Sequence, residues 1–310
     1  MVIEEPNTAS GEFRSGFLTL VGRPNAGKSS LINAAIGKKM AITSNTAQTT
    51  RHRLRAIVSR PRYQLIMVDT PGLHKPHDTL GEELNLAAFK ALEGVDVVAM
   101  LVDASQPVGK GDEWVAQRLE KVKAKKVAVL SKIDLVTEEV LFKQIKAVEA
   151  LTHFDEILFV SSLTGKGVEE FLSVVVTYLP PGPKWFPDDM QTDQPLEVMI
   201  SEFIREKILK GFFDEIPHAI GVVLEEMSYD RKKDMYVILA NIFVERDSQK
   251  GMIIGKAGTS IKSIGTQARI DLEQLLGCKV FLETKVKVKK NWRRDLNQIR
   301  RFGYGQGFDR

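Results

Sequence analysis

The sequence predicts two domains of different class: an α/β domain with a mostly parallel sheet covered by helices on both faces, followed by a smaller α+β domain. Three observations carry this. From residue 17 to about 179, short apolar runs alternate with longer amphipathic stretches. The stretch PPGPKWFPDDMQTDQP (180–195) then interrupts the alternation with five of the twelve prolines and no periodicity. Beyond it the order changes to helix, strand, strand, helix, helix, strand. A chain of 310 residues has room for both domains. Its 43% hydrophobic and 27% charged residues are ordinary globular composition and exclude a largely disordered or fibrous chain.

Residues 1–15 carry Glu4, Glu5 and Glu12 and no apolar core, and read as a flexible tail, neither a secretory signal nor a transit peptide. In the first domain (16–179), FLTLVG (17–22), YQLIMVD (63–69), VDVVAMLVD (95–103), KVAVLS (126–131) and EILFVS (156–161) read as buried strands, because they are short, rich in Val, Ile and Leu, and end in Gly, Asp or Ser. Helical stretches at 28–36, 80–93, 111–124, 138–151 and 167–178 lie between and after them. Ligands of such sheets bind at the carboxyl ends of the strands. Residues 180–195 read as a semi-rigid linker. In the second domain (196–290) a helix (196–214), strands 219–227 and 234–245, a glycine-rich turn, a helix to about 276 and a strand (279–288) follow. Residues 291–310 read as a basic tail.

No apolar run approaches the ~20 residues of a membrane-spanning helix. The single cysteine, Cys278, excludes an intrachain disulfide and a thiol metal cluster and fits a reducing compartment. Charge is unevenly spread: residues 250–310 hold 14 Lys/Arg and 5 Asp/Glu, a net of +9, against a net of −5 for residues 1–249. A basic end on an acidic body points to a polyanion as partner.

Gly22-Arg23-Pro24-Asn25-Ala26-Gly27-Lys28-Ser29 matches GxxxxGK[ST] directly after a strand and at the start of a helix. There, backbone N–H groups from Asn25 to Ser30 wrap phosphates, Lys28 reaches the β/γ oxygens and the Ser29 hydroxyl binds Mg²⁺. Asp69-Thr70-Pro71-Gly72 ends a strand, placing a carboxylate for Mg²⁺ and a glycine N–H for a γ-phosphate. Gln48-Thr49-Thr50-Arg51 is a polar loop whose hydroxyls can reach the metal and whose order a γ-phosphate can control, with Thr50, or alternatively Thr49, as ligand. In Ser131-Lys132-Ile133-Asp134 the Asp134 carboxylate matches the N1 and N2 donors of guanine; facing adenine it would be left unpaired. The Lys132 stem can pack on the base, and Ser161-Ser162-Leu163 stands where N–H groups can meet the base oxygen.

In the basic end, Ile253-Ile254-Gly255-Lys256-Ala257-Gly258 carries GxxG between apolar, helical stretches. This resembles a KH domain of type II order, in which Gly255-Lys256-Ala257-Gly258 would clamp the backbone of about four single-stranded nucleotides and Ile254 and Ile261 would line a groove for bases. Along 279–289, Val280, Leu282, Val286 and Val288 share one face and Lys279, Lys285, Lys287 and Lys289 the other. Lys285, Lys287 and Lys289 are expected to contact phosphate, with Trp292, Arg293, Arg294, Arg300 and Arg301 extending that surface.

With these motifs in order, the chain resembles the translation-factor-like GTPases, and within them the Era family of the TrmE–Era group. GRPNAGKSSLIN, AQTTRHR, DTPGLHKP and the KH-like end carry the resemblance over about residues 16–300. The resemblance implies a P-loop GTPase domain with Lys28, Thr50, Asp69 and Gly72 as its catalytic set, GTP/GDP and Mg²⁺ as cofactors, and K⁺ held by Asn25, which otherwise serves turn chemistry. It implies the 3′ end of small-subunit ribosomal RNA and the precursor small subunit as partners, a cytoplasmic monomer, and a role in small-subunit assembly. Two departures stand out: Ser131 where the family has Asn, and SSL in the last motif. Both bear on nucleotide affinity, since Asp134 is kept. Leu73 takes the place of the water-positioning Gln of many GTPases, so slow turnover is expected. Two rival readings are an RNA-binding nucleotide sensor with very weak hydrolysis and a GTPase held peripherally on the inner face of the cell membrane.

Overall fold

A computed structural model of the chain describes residues 12–46, 48–76, 78–213 and 215–305. Among these, one compact unit takes the chain up to Thr43, Thr50–Pro76 and Leu84–Asp193; the second takes Ser44–Thr49, the stretch up to Glu83, and the chain from Gln194 on.

The first unit is built on β1 (Arg14–Gly22), α1 (Lys28–Ile36), β2 (Leu54–Arg60), β3 (Tyr63–Asp69), the part of α2 (Thr79–Lys90) from Leu84 on, β4 (Val97–Asp103), α3 (Lys110–Leu119), β5 (Lys125–Ser131), α4 (Glu138–Glu149), β6 (Glu156–Val160) and α5 (Val168–Thr177). The sheet order is β2-β3-β1-β4-β5-β6. All pairings are parallel except β2 with β3. β3 and β4 are buried along their whole length, as strands covered on both faces must be. Val98, Met100 and Val102 meet Val115 and Leu119 of α3 and Val148 of α4 in one core cluster. The sheet order reverses around β1, so the turn after it opens where α/β folds bind ligands.

Four expectations change here. β2 is a strand the sequence pattern does not announce: it is an antiparallel edge strand, LRAIVSR, whose exposed end carries Ser59 and Arg60. β1 begins at Arg14, within the stretch 1–15 expected as a flexible tail, and residues 1–11 of that expectation lie outside the described ones. Residues 180–193, expected as part of a semi-rigid linker, are fixed more firmly than that composition implies. The fully buried Gln64 side chain accepts from the N–H groups of Trp185 (2.7 Å) and Phe186 (2.9 Å) and donates to the Phe186 carbonyl (2.8 Å). Ile57 N–H donates to the Gln191 carbonyl (2.8 Å), and Thr192 bonds the Arg55 carbonyl, so this stretch extends the β2 edge.

The fourth change is in the second unit, which contains α6 (Leu196–Gly211), α7 (Ile216–Ala219), β7 (Gly221–Asp230), β8 (Met235–Val244), α8 (Asp247–Ile254), α9 (Thr259–Leu276), β9 (Lys279–Val288) and α10 (Leu296–Arg301). Its sheet order is β7-β8-β9, β7 antiparallel and β9 parallel to β8. Residues 291–305, expected as a basic tail, are packed structure. Trp292, Ile299, Phe302 and Tyr304 are buried, Trp292 donates from Nε1 to the Ala219 carbonyl (2.9 Å), and Phe302 stacks on Phe243. Among the described residues no helix is long and apolar enough to cross a membrane.

Candidate functional site

The first site forms where β1 ends. Gly27 takes a left-handed conformation (φ 94°) that opens α1, and Asn25 takes another (φ 65°), which asparagine tolerates better than most residues. The loop therefore wraps the α1 N-terminus, where N–H groups and the helix dipole favour an anion. Lys28 is buried and folds back on the Gly22 and Arg23 carbonyls (3.3 and 3.1 Å). Burial lowers its pKa to about 8, and the nearby Asp69 carboxylate offsets only part of that.

Three oxygens from distant segments converge beside it. Ser29 Oγ donates to Asp69 Oδ2 (2.6 Å), Thr50 Oγ1 donates to the same oxygen (3.2 Å), and the two hydroxyls lie 3.0 Å apart. Two hydroxyls and a carboxylate are hard oxygen donors of the kind Mg²⁺ takes, alongside water and phosphate oxygens. Burial pushes the Asp69 carboxyl above the ordinary carboxylate range; Lys28 and the Ser29 and Thr50 hydroxyls pull the other way. Among the described residues Asp69 Oδ1 is buried without a hydrogen-bond partner, which suits an oxygen meant for a cation's shell. Between the two threonines the geometry favours Thr50. Thr49 is engaged elsewhere: its hydroxyl lies 2.6 Å from Ser44 Oγ and donates to the Thr46 carbonyl (2.6 Å), while its carbonyl accepts from Arg205 of the second unit, to which Thr49 belongs.

Gly72 packs against the loop so closely that an added Cβ would lie 2.9 Å from Pro24 Cα. Leu73 donates its N–H to the Gly22 carbonyl (3.2 Å), and its side chain, 1% exposed, lies in the core with Val21, Met100 and Val115. A buried aliphatic side chain has no group with which to orient a water.

On the base side, Ser131 Oγ donates to the Ala26 carbonyl (2.7 Å) and approaches the Val102 carbonyl (3.2 Å), tying β5 to the loop. Lys132 has a left-handed backbone (φ 58°), and its ammonium pairs with Asp103 Oδ2 at 2.5 Å. Burial alone would raise Asp103, but hydrogen bonds from Lys132 and Ser105 outweigh it and hold the carboxyl below its ordinary value. Asp134 follows in a short 3-10 turn and is exposed. Ser161 is buried and accepts from the Thr164 N–H, shaping the loop from which Ser162 and the 84% exposed Leu163 project. Ser30, Ser162 and Leu163 share a cavity of about 500 Å³ with Asn33, Lys38 and Thr43. Asn33 escaped the sequence reading. Its Oδ1 accepts from the Met40 and Ala41 N–H groups (both 2.8 Å) and its Nδ2 donates to the Ala41 carbonyl, so it fixes the chain leaving α1. Its sequence signal was an amide inside the otherwise apolar run LINAAI.

The second site forms around the GxxG turn. Gly255 has φ 73° and ψ 173°, a region effectively reserved for glycine, and an added Cβ would meet Ser260 Cβ at 2.7 Å. Ala257 (φ 49°) and Gly258 (φ 75°) continue the turn into α9, leaving Lys256 exposed. A groove of about 370 Å³ runs between α9 and β9, lined by Ile261, Lys262, Gly265 and Arg269 on the helix and Phe281 and Leu282 on the strand. Ile261 is where expected; Ile254 is half-buried at the end of α8. Lys262, Arg269 and the half-exposed Phe281 were missed, although 262 and 269 stand two helical turns apart on one side of α9.

Part of the remaining expected basic surface is engaged. Lys285 pairs with Glu283 (3.2 Å) and Lys287 with Glu225 (3.6 Å), both exposed. Lys289 is half-buried just past β9, and Arg294 is exposed. Arg293 departs furthest from expectation. Its guanidinium binds Glu245 through Nε and Nη2 and Asp78 through Nη1 (3.1 Å), which commits it to carboxylates and not to phosphate.

Both halves of the chain have known relatives. The family described as a 50S ribosome-binding GTPase matches residues 17–132, and the KH domain family matches residues 215–293. Aquifex aeolicus Era, in its Y63A form bound to GDP·AlF4⁻, is similar at 36% identity with a TM-score of 0.90, over 94% of this chain and 100% of its own. An Era bound to MgGDPNP and nucleotides 1506–1542 of 16S ribosomal RNA is similar at 36% identity and a TM-score of 0.90, over 94% of this chain and 99% of its own.

Proposed function

The chain belongs to the Era family of GTPases, and from that premise we propose that it is a GTP-switched factor in small ribosomal subunit assembly that holds the 3′ end of the small-subunit ribosomal RNA in its KH domain. One observation carries the reading: the phosphate loop and the GxxG groove occur on one chain that is similar, over 94% of its length, to an Era bound to both MgGDPNP and that RNA end.

In this reading the N–H groups from Asn25 to Ser30 cradle the nucleotide phosphates and Lys28 counters their charge. Ser29, Thr50 and Asp69 would hold Mg²⁺, which would supply positive charge to stabilise the phosphates as negative charge builds up. Asp134 selects guanine by accepting from its N1 and N2 groups, and Lys132 covers the base. The Gly72 N–H senses the γ-phosphate. With Leu73 in the core, water is oriented only by what the loop and a monovalent cation supply, so intrinsic hydrolysis is slow. Asn25 is the residue that would hold K⁺. Hydrolysis removes the ligand that orders Thr50, and release from the RNA follows. The setting for this cycle is the cytoplasm.

The RNA half is tested with Lys256→Asp/Ala257→Asp. The left-handed backbone at Ala257 accepts Asp at least as well as Ala, so the turn should survive while its charge inverts. Loss of single-stranded RNA binding at physiological salt with GDP affinity unchanged is the expected result. RNA binding at the wild-type level would move the site away from the GxxG turn.

A further inference from the structure

We infer that Asp112, acting through Arg23, is a positioning residue that holds the phosphate loop in its nucleotide-binding shape; the inference rests on the nucleotide reading of that loop. Asp112 sits in the first turn of α3 and is fully buried. Its Oδ1 lies 3.0 Å from Arg23 Nε. Arg23 is the second residue of the GxxxxGKS loop, and its carbonyl accepts from both the Ala26 N–H (3.3 Å) and Lys28 Nζ (3.1 Å). The residue that anchors the loop's turn and its lysine is thus itself anchored, through its side chain, to a different element. Contact along the stem adds to the ion pair: Gly111 lies under Arg23, and an added Cβ there would meet Arg23 Cδ at 2.6 Å.

A helix cap alone would not explain the pair. Asp112 Oδ2 accepts from the Gly109 N–H (3.1 Å), closing the first turn of α3. An amide oxygen could do the same, whereas only a carboxylate neutralises the guanidinium. The arrangement therefore separates the two roles chemically. Asp112→Asn keeps the cap and turns an amide toward Arg23. Gly111→Ala keeps both charges, raises helix propensity and displaces the arginine stem.

The test measures affinity for a fluorescent GDP and steady-state GTP hydrolysis on the full chain. Asp112→Asn and Arg23→Met should each weaken GDP about five- to thirty-fold, raising KM more than they lower kcat. The double variant, which leaves no unpaired buried charge, should be no worse than the weaker single variant. Gly111→Ala should weaken GDP although it stabilises the helix, and single-stranded RNA binding should be unchanged in all four. Wild-type GDP affinity in Asp112→Asn and Gly111→Ala, or additive losses in the double variant, would overturn the inference. A wild-type chain that binds no GDP would instead overturn the nucleotide reading, and this inference with it.

Discussion

Ser131 shows how one hydroxyl divides the work of a longer side chain. The family's Asn is long enough to reach both the loop and the purine; here the hydroxyl reaches the loop, through the Ala26 carbonyl at 2.7 Å. Ser131→Ala should therefore weaken GDP about fivefold or more and lower stability by about 1–2 kcal/mol, because the buried Ala26 and Val102 carbonyls lose a donor. Ser131→Asn should tighten GDP roughly three- to ten-fold, since the bond it can add is the one to the base. Titration calorimetry of the three forms checks both, and equal affinities for Asn and Ser would show that the hydroxyl already does all that the amide would.

Lys28 gives a pH dependence of defined sign. Folding lowers its pKa from 10.5 to about 8, so between these values the folded chain has shed a proton that the unfolded chain keeps. Its contribution to stability therefore rises with pH across that window, the relief of a buried charge. Nucleotide binding runs the other way, because phosphates favour the ammonium form. GDP affinity should fall as pH rises above about 8, and binding near pH 8–9 should take up protons. Calorimetry in buffers of different ionisation enthalpy measures that uptake; none at pH 8.5 would place the ammonium group outside the phosphate site.

At the scale of elements, the stretch 180–193 is held by one side chain more than by its prolines. Gln64→Leu removes the partners of two N–H groups and one carbonyl of Trp185 and Phe186 and cannot replace them. It should lower stability by about 1–3 kcal/mol and expose 183–190 to limited proteolysis, with GDP affinity within twofold of wild type. The GxxG turn is equally specific. Gly255→Ala forces a Cβ into Ser260 and strains the backbone, at a cost of about 1–3 kcal/mol, and should lower the thermal midpoint and RNA affinity together.

At the scale of the whole molecule, what the sequence made legible followed the physics of burial. Parallel strands covered on both faces must be continuously apolar, so β3 and β4 read directly from YQLIMVD and VVAMLVD. The phosphate loop read directly because its glycines and lysine are contiguous. β2 stayed hidden because an edge strand with Arg55, Ser59 and Arg60 has no need of a continuous apolar run. The order in 180–193 depends on Gln64, more than a hundred residues earlier, and no local pattern reports such a bond. Trp292, Ile299, Phe302 and Tyr304 were masked by the arginines between them, and the commitment of Arg293 to Glu245 and Asp78 is a long-range pairing.

The proposed coupling joins a guanine-nucleotide switch to recognition of the small-subunit RNA end on one chain. It is tested most directly by titrating the full chain against a labelled single-stranded RNA with the sequence of that 3′ end, once with a non-hydrolysable GTP analogue and Mg²⁺ and once with GDP. The analogue-bound chain should bind at least about fivefold more tightly than the GDP-bound chain and discriminate against a scrambled RNA of equal length and charge. Equal affinity in the two nucleotide states, or equal affinity for the scrambled RNA, would contradict the account.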